Sequence, residues 1–434
     1  MMRTIDLRGQ QLSPAELLAI VPRGADAHAN AQVVAAEIVA DVRARGEEAL
    51  REQAARFDGA EGHAIRVPRE QLEEALASVD PAVRAALEES IRRVRLASAA
   101  QVPQPQVTQL AEGARVTQRW QPVNRVGVYV PGGKAALSSS VVMNVVPAQI
   151  AGVASVALAS PPQRDYNGRV HPTILAAAAL LGIDEVYAIG GAGAIGALAH
   201  GVASLGLDPV DVVTGPGNNF VAAAKRVVSG TVGIDAEAGA TEILVVADDS
   251  ADAALVAADL VSQAEHDEQA GAVLVTDSPA LADAVAAAID VRVGETKHAT
   301  RVRAALAGPQ SAIVLVDSPQ AARDVSNAYG PEHLELHIRG AAEAAAGYTN
   351  AGALFIGPSS PVSLGDYLAG SNHVLPTAGS SRFAAGLGAH TFLRPQQIIE
   401  YSRDALEAVH SEIVALANAE DLPAHGEAVT ARFA

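Results

Sequence analysis

Val126-Gly-Val-Tyr-Val130 is a compact apolar run that ends in the turn Pro131-Gly-Gly133. Three more short apolar runs follow at 154–160, 185–190 and 211–215, and helical sequence separates each from the next. Short apolar strands that alternate with helices are typical of a parallel, doubly wound sheet. This stretch therefore predicts an α/β unit.

The same alternation restarts at residue 241 and predicts a second α/β unit, with apolar runs at 242–248, 272–276 and 312–316. The predicted fold class is α/β, with two Rossmann-like parallel-sheet domains plus small N- and C-terminal helical segments. The expected divisions are an N-terminal arm of residues 1–25, a discontinuous first domain of 26–124 plus 237–375, a second domain of 125–236 and a C-terminal segment of 376–434.

Glycine-rich turns follow three of the strands predicted in 125–236, and ligands of such sheets bind at the carboxyl ends of strands. Gly191-Ala-Gly-Ala-Ile-Gly196 also matches the dinucleotide pattern literally. The acid expected about twenty residues on would be Asp211, but this residue begins a strand, whereas the pattern has it at a strand's end. The match is therefore weak, and Gly193 is explained equally well by easing the turn.

Composition excludes several classes of protein. The net charge is −18, and there are few aromatic residues (Trp 1, Tyr 7, Phe 6), so nucleic acid is not an expected partner. The absence of cysteine excludes disulfides, thiolate zinc sites and a cysteine nucleophile. Polar residues interrupt the apolar region 141–160, and residues 1–9 lack the apolar core of a signal peptide. We expect a cytoplasmic protein without a membrane segment.

Two short stretches carry residues suited to chemistry. In Ser262-Gln-Ala-Glu-His-Asp267, Gln263 and His266 share a face if the preceding helix continues, and such a pair can act as half of a metal site. The alternative is a solvated helix face. Glu332 and His333 precede a run that reads as a half-buried strand, and an adjacent carboxylate and imidazole suit proton transfer. The alternative there is a surface turn.

Asp366 and His373 flank a glycine turn with little apolar periodicity, and His425 lies near the end of the sequence. Gln263, His266, Asp366 and His425 together would form a nitrogen and oxygen site that suits zinc without cysteine.

These segments resemble the histidinol dehydrogenase family through essentially the whole chain. The motifs that carry the resemblance are Arg125-Val-Gly-Val-Tyr-Val-Pro-Gly-Gly133, Gly215-Pro-Gly-Asn218, Ser262-Gln-Ala-Glu-His-Asp267, Pro331-Glu-His-Leu-Glu335, Gly370-Ser-Asn-His-Val-Leu-Pro-Thr377 and Ala419-Glu-x-Leu-x-x-His425. Six separate motifs in one order make the resemblance specific.

The resemblance implies a site for each group of residues. One zinc ion per subunit would be bound by Gln263, His266, Asp366 and His425. Substrate contacts would come from Thr241, His333 and Glu420 besides these ligands, with His373 as a further candidate, and the acid/base pair would be Glu332 and His333. NAD contacts would fall on Tyr129, Gly193 and Asn218, but the family commonly has glutamine at position 193.

The implied reaction is the oxidation of L-histidinol through L-histidinal to L-histidine with two NAD⁺, the last steps of histidine biosynthesis. The resemblance also implies a homodimer in which the C-terminal segment reaches the partner's site. Three alternatives stay open: a zinc- and NAD-dependent dehydrogenase of the same fold for another small polyol, a zinc hydrolase that uses Glu332, and a non-catalytic relative that lost cofactor affinity through Gly193.

Overall fold

The structure is a computed structural model that describes residues 2–23, 28–132, 136–237 and 239–434. Within these residues the strands are β1 Arg3–Asp6, β2 Gln106–Ala111, β3 Ala114–Pro122, β4 Arg125–Tyr129, β5 Ser155–Ser160, β6 Val186–Ala188, β7 Val212–Thr214, β8 Gly233–Ile234, β9 Glu242–Ala247, β10 Gly271–Thr276, β11 Ala312–Leu315, β12 His333–His337, β13 Ala353–Ile356 and β14 Leu393–Tyr401.

The helices of the described residues are α1 Pro14–Ile20, α2 His28–Arg45, α3 Glu47–Gln53, α4 Arg69–Ser78, α5 Pro81–Ala100, α6 Ser138–Ala151, α7 Pro172–Leu180, α8 Gly191–His200, α9 Asn219–Val228, α10 Ala253–Ala264, α11 Pro279–Glu295, α12 Ala299–Ala307, α13 Pro319–Tyr329, α14 Ala341–Ala344, α15 Val362–Tyr367, α16 Arg403–Glu407, α17 His410–Ala419 and α18 Pro423–Thr430. A π-helical turn, Ala54–Asp58, extends α3, and short 3₁₀ turns occupy Arg164–Tyr166, Ala203–Leu205, Ala345–Gly347, Ser380–Arg382 and Ala389–Phe392.

Local sequence signals account for several helix starts. Ser13 and Glu16 form a reciprocal capping box ahead of α1, with proline at the first helical position. Ser278 caps α11 and Ser318 caps α13, and in each case a proline follows at the first helical position. These starts are the ones that sequence alone indicates most directly.

A five-stranded parallel sheet forms around the opening stretch, in the order β6-β5-β4-β7-β8. The chain runs outward from β4 to β6, then returns to β7 on the other side of β4. The boundary between β4 and β7 is therefore a topological switch point, where doubly wound sheets bind ligands beyond the carboxyl ends of the strands. Tyr129 ends β4 at this edge, and Gly215 follows β7.

A six-stranded parallel sheet has the order β1-β11-β10-β9-β12-β13. Its switch point lies between β9 and β12, since the chain runs from β9 through β10 to β11 and then returns to β12. Both parallel sheets confirm the predicted α/β class. The segment Arg3–Asp6, expected within an N-terminal arm, is an edge strand of this sheet.

A three-stranded antiparallel sheet, β14-β3-β2, joins the polar region before residue 125 to the C-terminal segment. Beyond it, α17 and α18 pack against each other. No helix of the described residues is both long and apolar enough to cross a membrane.

The packing of residues 28–100 differs from the expected grouping of 26–124 with 237–375. Helix α2 packs on α8 and α9, α4 packs on α7 and α5 packs on α6, so these helices share hydrophobic clusters with the five-stranded sheet. Periodicity reveals which face of a helix is apolar, but it does not identify the partner that covers that face. The division into domains otherwise stays a prediction.

Candidate active site

A chain of hydrogen bonds joins three of the residues that sequence singled out. Thr241, just before β9, donates its hydroxyl to Glu332 Oε2 at 2.6 Å. Gln263, near the end of α10, donates Nε2 to Thr241 Oγ1 at 2.7 Å. The backbone NH of Glu242 adds a second bond to Glu332 Oε2 at 2.9 Å. Side chains from the amino ends of β9 and β12 thus meet the carboxyl end of α10.

Gln263 is 2% exposed, and its Oε1 is buried without a hydrogen-bond partner among the described residues. Because Nε2 is held by Thr241, the amide is oriented with its oxygen directed elsewhere. A buried polar atom without a partner is costly in a folded protein. A buried amide oxygen without a partner is suited to bind an electron-pair acceptor, such as a metal ion.

The carboxyl group of Glu332 is buried at 6% exposure. Burial raises its pKa to about 8, although the bonds from Thr241 and from the Glu242 backbone act in the opposite direction. A carboxyl group with a pKa near the working pH can both accept and release a proton.

His333, at the start of β12, is oriented by its own hydrogen bond. Nδ1 lies 3.1 Å from the Glu242 carbonyl oxygen, which can only accept, so Nδ1 carries the proton and Nε2 has a free lone pair. Burial is the main reason that the pKa of His333 is lowered, despite the nearby Asp366 carboxylate. The neutral imidazole is therefore suited to accept a proton at Nε2.

The strand predicted after Glu332 is confirmed, but its predicted half-burial is wrong, because all five residues of β12 are buried. β12 lies between β9 and β13 in a sheet covered on both faces, and alternating residue types do not reveal such a covering. The alternation does place His333, Glu335 and His337 on one face, towards α10.

His266 and Asp366 lie in the electrostatic surroundings of His333. Burial lowers the pKa of His266, and Asp366 opposes this shift. Burial likewise raises the pKa of Asp366, while His333 and His266 oppose it. The condition that α10 continues through His266 is not met, because the helix ends at Ala264. A backbone bond of 3.3 Å from His266 to the Gln263 carbonyl nevertheless keeps the two residues in one turn.

Both ring nitrogens of His373 are already occupied. Nδ1 lies 3.0 Å from the Asp366 carbonyl oxygen, and Nε2 lies 3.0 Å from Ser140 Oγ on α6. Burial lowers the pKa of His373 to about 4. These bonds favour a neutral ring that positions the end of α15, which carries Asp366, rather than the substrate contact predicted for His373.

Glu420 and His425 lie apart from this group. Both are exposed, Glu420 at the end of α17 and His425 in α18. No side-chain hydrogen bond or ion pair joins either residue to Gln263, His266 or Asp366 within the described part of the chain. One chain therefore brings together Gln263, His266 and Asp366, but not His425.

The three residues predicted to contact NAD lie at the carboxyl edge of the five-stranded sheet. The Tyr129 hydroxyl accepts the backbone NH of Gly191, at the start of α8, at 3.1 Å. Asn218 caps α9 through Oδ1, which accepts from Phe220 and Val221. Burial raises the pKa of Tyr129 to about 12, so the phenol stays protonated.

A buried ion pair holds the turn between β7 and α9. Lys225 and Asp235 form a salt bridge with side chains 1% and 2% exposed. Lys225 Nζ donates to the Gly215 carbonyl at 3.0 Å, and Asp235 Oδ2 accepts the Gly215 NH at 2.8 Å. Gly215 has φ +119°, and a Cβ there would overlap the carbonyl oxygen of Tyr129. Only glycine therefore fits this turn.

Gly193 lies in the first turn of α8, with the side chain of Gln53 against it. A Cβ at position 193 would overlap Gln53 Oε1. A carboxamide from α3 thus occupies the space that a side chain at position 193 would take. Asp211, the weak candidate for the acid of the dinucleotide pattern, instead accepts the backbone NH groups of Asn124 and Arg125 at the start of β4.

Sequence reasoning missed Glu242, Ser140 and the Lys225–Asp235 pair. Glu242 is buried beside Glu332 and accepts from Tyr329 at 3.2 Å, and burial raises its pKa to about 7. Its signal was a carboxylate at the head of an otherwise apolar strand. Ser140 and the ion pair gave no comparable signal, because their partners are distant in sequence.

A family model described as histidinol dehydrogenase matches residues 21–433 of this chain. A histidinol dehydrogenase of Leifsonia xyli is 63% identical over 432 residues, which cover 100% of this chain and 99% of that protein. One of Mycobacterium tuberculosis is 55% identical, with coverages of 99% and 97%. The crystal structure of histidinol dehydrogenase from Elizabethkingia anophelis matches with a TM-score of 0.92 at 31% identity, covering 100% of this chain and 98% of that one. The likeness therefore extends over the whole chain.

Proposed function

This chain belongs to the histidinol dehydrogenase family, and from that premise we propose that it oxidises L-histidinol through L-histidinal to L-histidine in the cytoplasm, with zinc and two NAD⁺. The observation that carries the proposal is the bonded chain Gln263–Thr241–Glu332, which leaves Gln263 Oε1 buried and without a hydrogen-bond partner among the described residues.

Gln263, His266 and Asp366 are the residues of one chain that would hold the metal, and the partner subunit's His425 would complete the set. An amide oxygen, two imidazoles and a carboxylate suit zinc. When bound, zinc supplies a template and Lewis acid for the substrate's imidazole and amine. Thr241 supports the set by orienting Gln263, and His373 supports it by holding the end of α15 at Asp366.

The exposure of α17 and α18 supports a homodimer in which each C-terminal segment completes the other subunit's site. Leu416 in α17 is 65% exposed, and Ile399 in β14 is 68% exposed, so this segment carries apolar side chains that its own chain leaves uncovered. Such an arm would bring the partner's Glu420 to the substrate together with the partner's His425.

In the alcohol step, His333 accepts the hydroxyl proton of histidinol at Nε2. Its Nδ1 stays bonded to the Glu242 carbonyl, which keeps the ring in the tautomer that the step requires. When bound, NAD⁺ accepts the hydride from the reacting carbon in each of the two oxidations.

In the aldehyde step, a water molecule attacks histidinal directly, because the chain has no cysteine to form a thiohemiacetal. Glu332 is the base that activates this water. Its Oε2 is held by Thr241 and the Glu242 backbone, and no hydrogen bond within the described residues occupies Oε1, so Oε1 is the oxygen that takes the proton.

For NAD⁺ we propose the switch point between β4 and β7, with Tyr129 and Asn218 on its two sides. Asn218 Oδ1 caps α9, so the amide Nδ2 is the group available to the cofactor. Gln53 supplies the carboxamide that Gly193 lacks, since its side chain occupies the corresponding space.

The test is an assay of the purified enzyme with histidinol and NAD⁺, before and after treatment with a chelator. We expect about two NADH per histidinol, loss of activity on chelation and recovery with zinc. A related polyol without the imidazole is the control substrate and should give little NADH. Absence of NADH with histidinol, or activity that chelation leaves unchanged, would contradict the proposal.

A further inference from the structure

A second group of ligand-type side chains lies between α10 and β12, about one helical turn from Gln263 along α10 and two residues from His333 along β12. Asp259 of α10 and Glu335 and His337 of β12 each place one ligand atom within 4.8 Å of the others. Within the described part of the chain, no other group of three or more His, Asp or Glu residues has this geometry. Neither Gln263 nor His333 belongs to it.

The separations of His337 from the two carboxylates are longer than good hydrogen bonds, whereas Asp259 and Glu335 lie close enough to share a hydrogen bond. His337 Nε2 lies 3.4 Å from Glu335 Oε2 and 3.9 Å from Asp259 Oδ2. Hydrogen bonds between such groups measure roughly 2.7–3.2 Å. Two ligands in a tetrahedral zinc site lie roughly 3.4 Å apart, since each is about 2.1 Å from the ion. The spacing of His337 from the two carboxylates is that of ligands around an ion rather than of directly bonded partners.

Glu335 gives an independent observation. Its side chain is 0% exposed, and Oε1 accepts the backbone NH of Val362 at 2.8 Å. Oε2, which faces His337, is buried without a hydrogen-bond partner among the described residues. Two close carboxylates therefore share one buried space, where they require either a proton or a cation between them. Arg292 influences Asp259 electrostatically, but no ion pair within 4.0 Å joins the two residues in the described structure.

The position in the fold agrees with a ligand site. β9 and β12 flank the switch point of the six-stranded sheet, and His337 is the last residue of β12 at the carboxyl end. Ligands of open parallel sheets bind at this end of such strand pairs. The Asp259 side chain is 15% exposed, so solvent reaches the group from that side.

We propose that Asp259, Glu335 and His337 bind a second divalent transition-metal ion, with water completing the coordination. Two carboxylate oxygens and one imidazole nitrogen suit zinc or manganese. The ion would join α10 to β12, the two elements that carry Gln263 and His333. It would therefore hold the active-site elements in register without contacting substrate. This inference does not depend on the proposed reaction.

The test measures bound zinc by mass spectrometry in the full-length protein, after removal of metal and reconstitution with zinc. We expect about two equivalents per chain in the wild type and about one in Asp259→Asn. Asp283→Asn removes the same charge from an exposed position on the neighbouring helix α11, and should keep both equivalents. Circular dichroism verifies that each variant is folded.

His337→Gln provides a second variant and should lose the same equivalent as Asp259→Asn. Asp366→Asn separates this proposal from the proposed function, because it should remove only the zinc equivalent bound at the proposed catalytic site. Zinc content that is equal in the wild type, Asp259→Asn and His337→Gln would overturn the second site. If Asp259→Asn loses an equivalent but Asp366→Asn loses none, the second site is supported and the proposed catalytic metal site fails.

Discussion

The Glu332 carboxyl group has the surroundings of a proton-transfer group rather than of a structural acid. It is fully enclosed, it receives two hydrogen bonds on one oxygen, and burial raises its pKa to about 8. A structural carboxylate in an ion pair would have its pKa lowered instead. These features follow from the position of Glu332 at the amino end of β12, opposite Thr241.

Glu332→Gln should impair aldehyde oxidation more than alcohol oxidation, because only the former requires Glu332 to activate water. We expect the histidinal half-reaction to slow by about 10²–10⁴-fold. The Gln oxygen can still accept from Thr241, so the site's geometry is kept. The half-reactions are measured separately with histidinol and histidinal. Exposed Glu343→Gln is the control, and equal losses in both half-reactions would count against the assignment.

Glu332 also predicts a pH dependence of stability in the metal-free protein. Its pKa is about 8 when folded, against an ordinary value of 4.5. The folded state therefore holds a proton that the unfolded state releases, so the associated stability is present below pH 4.5 and is lost as pH rises to about 8.

Gln at position 332 does not ionise, so the melting temperature of Glu332→Gln relative to the wild type should rise between about pH 5 and 8 and then level off. Thermal melts at a series of pH values measure this difference. A difference that stays constant across the series would show that Glu332 has no raised pKa.

At the scale of elements, the turn from β7 to α9 depends on a buried ion pair. Lys225→Met should leave the Asp235 carboxylate buried without a cation, which costs about 3–5 kcal/mol of the free energy of unfolding. Arg226→Met is the matched control, because its ion pair with Glu237 is exposed and contributes at most about 1 kcal/mol.

Urea unfolding measures both variants, and NAD⁺ titration reports whether the Gly215 turn survives. We expect Lys225→Met to lose NAD⁺ affinity and Arg226→Met to keep it, because only Lys225 donates to the Gly215 carbonyl. Similar losses of stability in the two variants would contradict this account of the turn.

β12 illustrates which properties of a strand can be predicted from the sequence and which cannot. The alternation of apolar and ionisable residues over 334–338 predicts its extent within one residue, because strand periodicity is a local property. Its burial on both faces is not predicted, because that depends on α10 and on the neighbouring strands. A half-buried strand would expose Glu335 and His337, and they are instead buried.

At the scale of the molecule, the two parallel sheets could be predicted from alternating patterns. Gln263 and Glu332 could be selected from motifs, and Thr241 from the family resemblance. The packing of residues 28–100 on the five-stranded sheet could not be predicted, because apolar helix faces do not specify their partners. For a similar reason, the sequence does not predict that His425 lies apart from the other proposed ligands of its own chain. A motif shows that a residue is suited to a site, but not which subunit's site it completes.

The central claim is that one chain's Gln263, His266 and Asp366 form a single metal site with the partner subunit's His425. Mixing two inactive variants, His425→Ala and Asp366→Asn, tests this directly after the subunits are allowed to exchange. In a hybrid dimer one site would have every intact residue, so we predict recovery of roughly a quarter of wild-type activity. If His425 acts within its own chain, or takes no part, the mixture will show no activity beyond that of the separate variants.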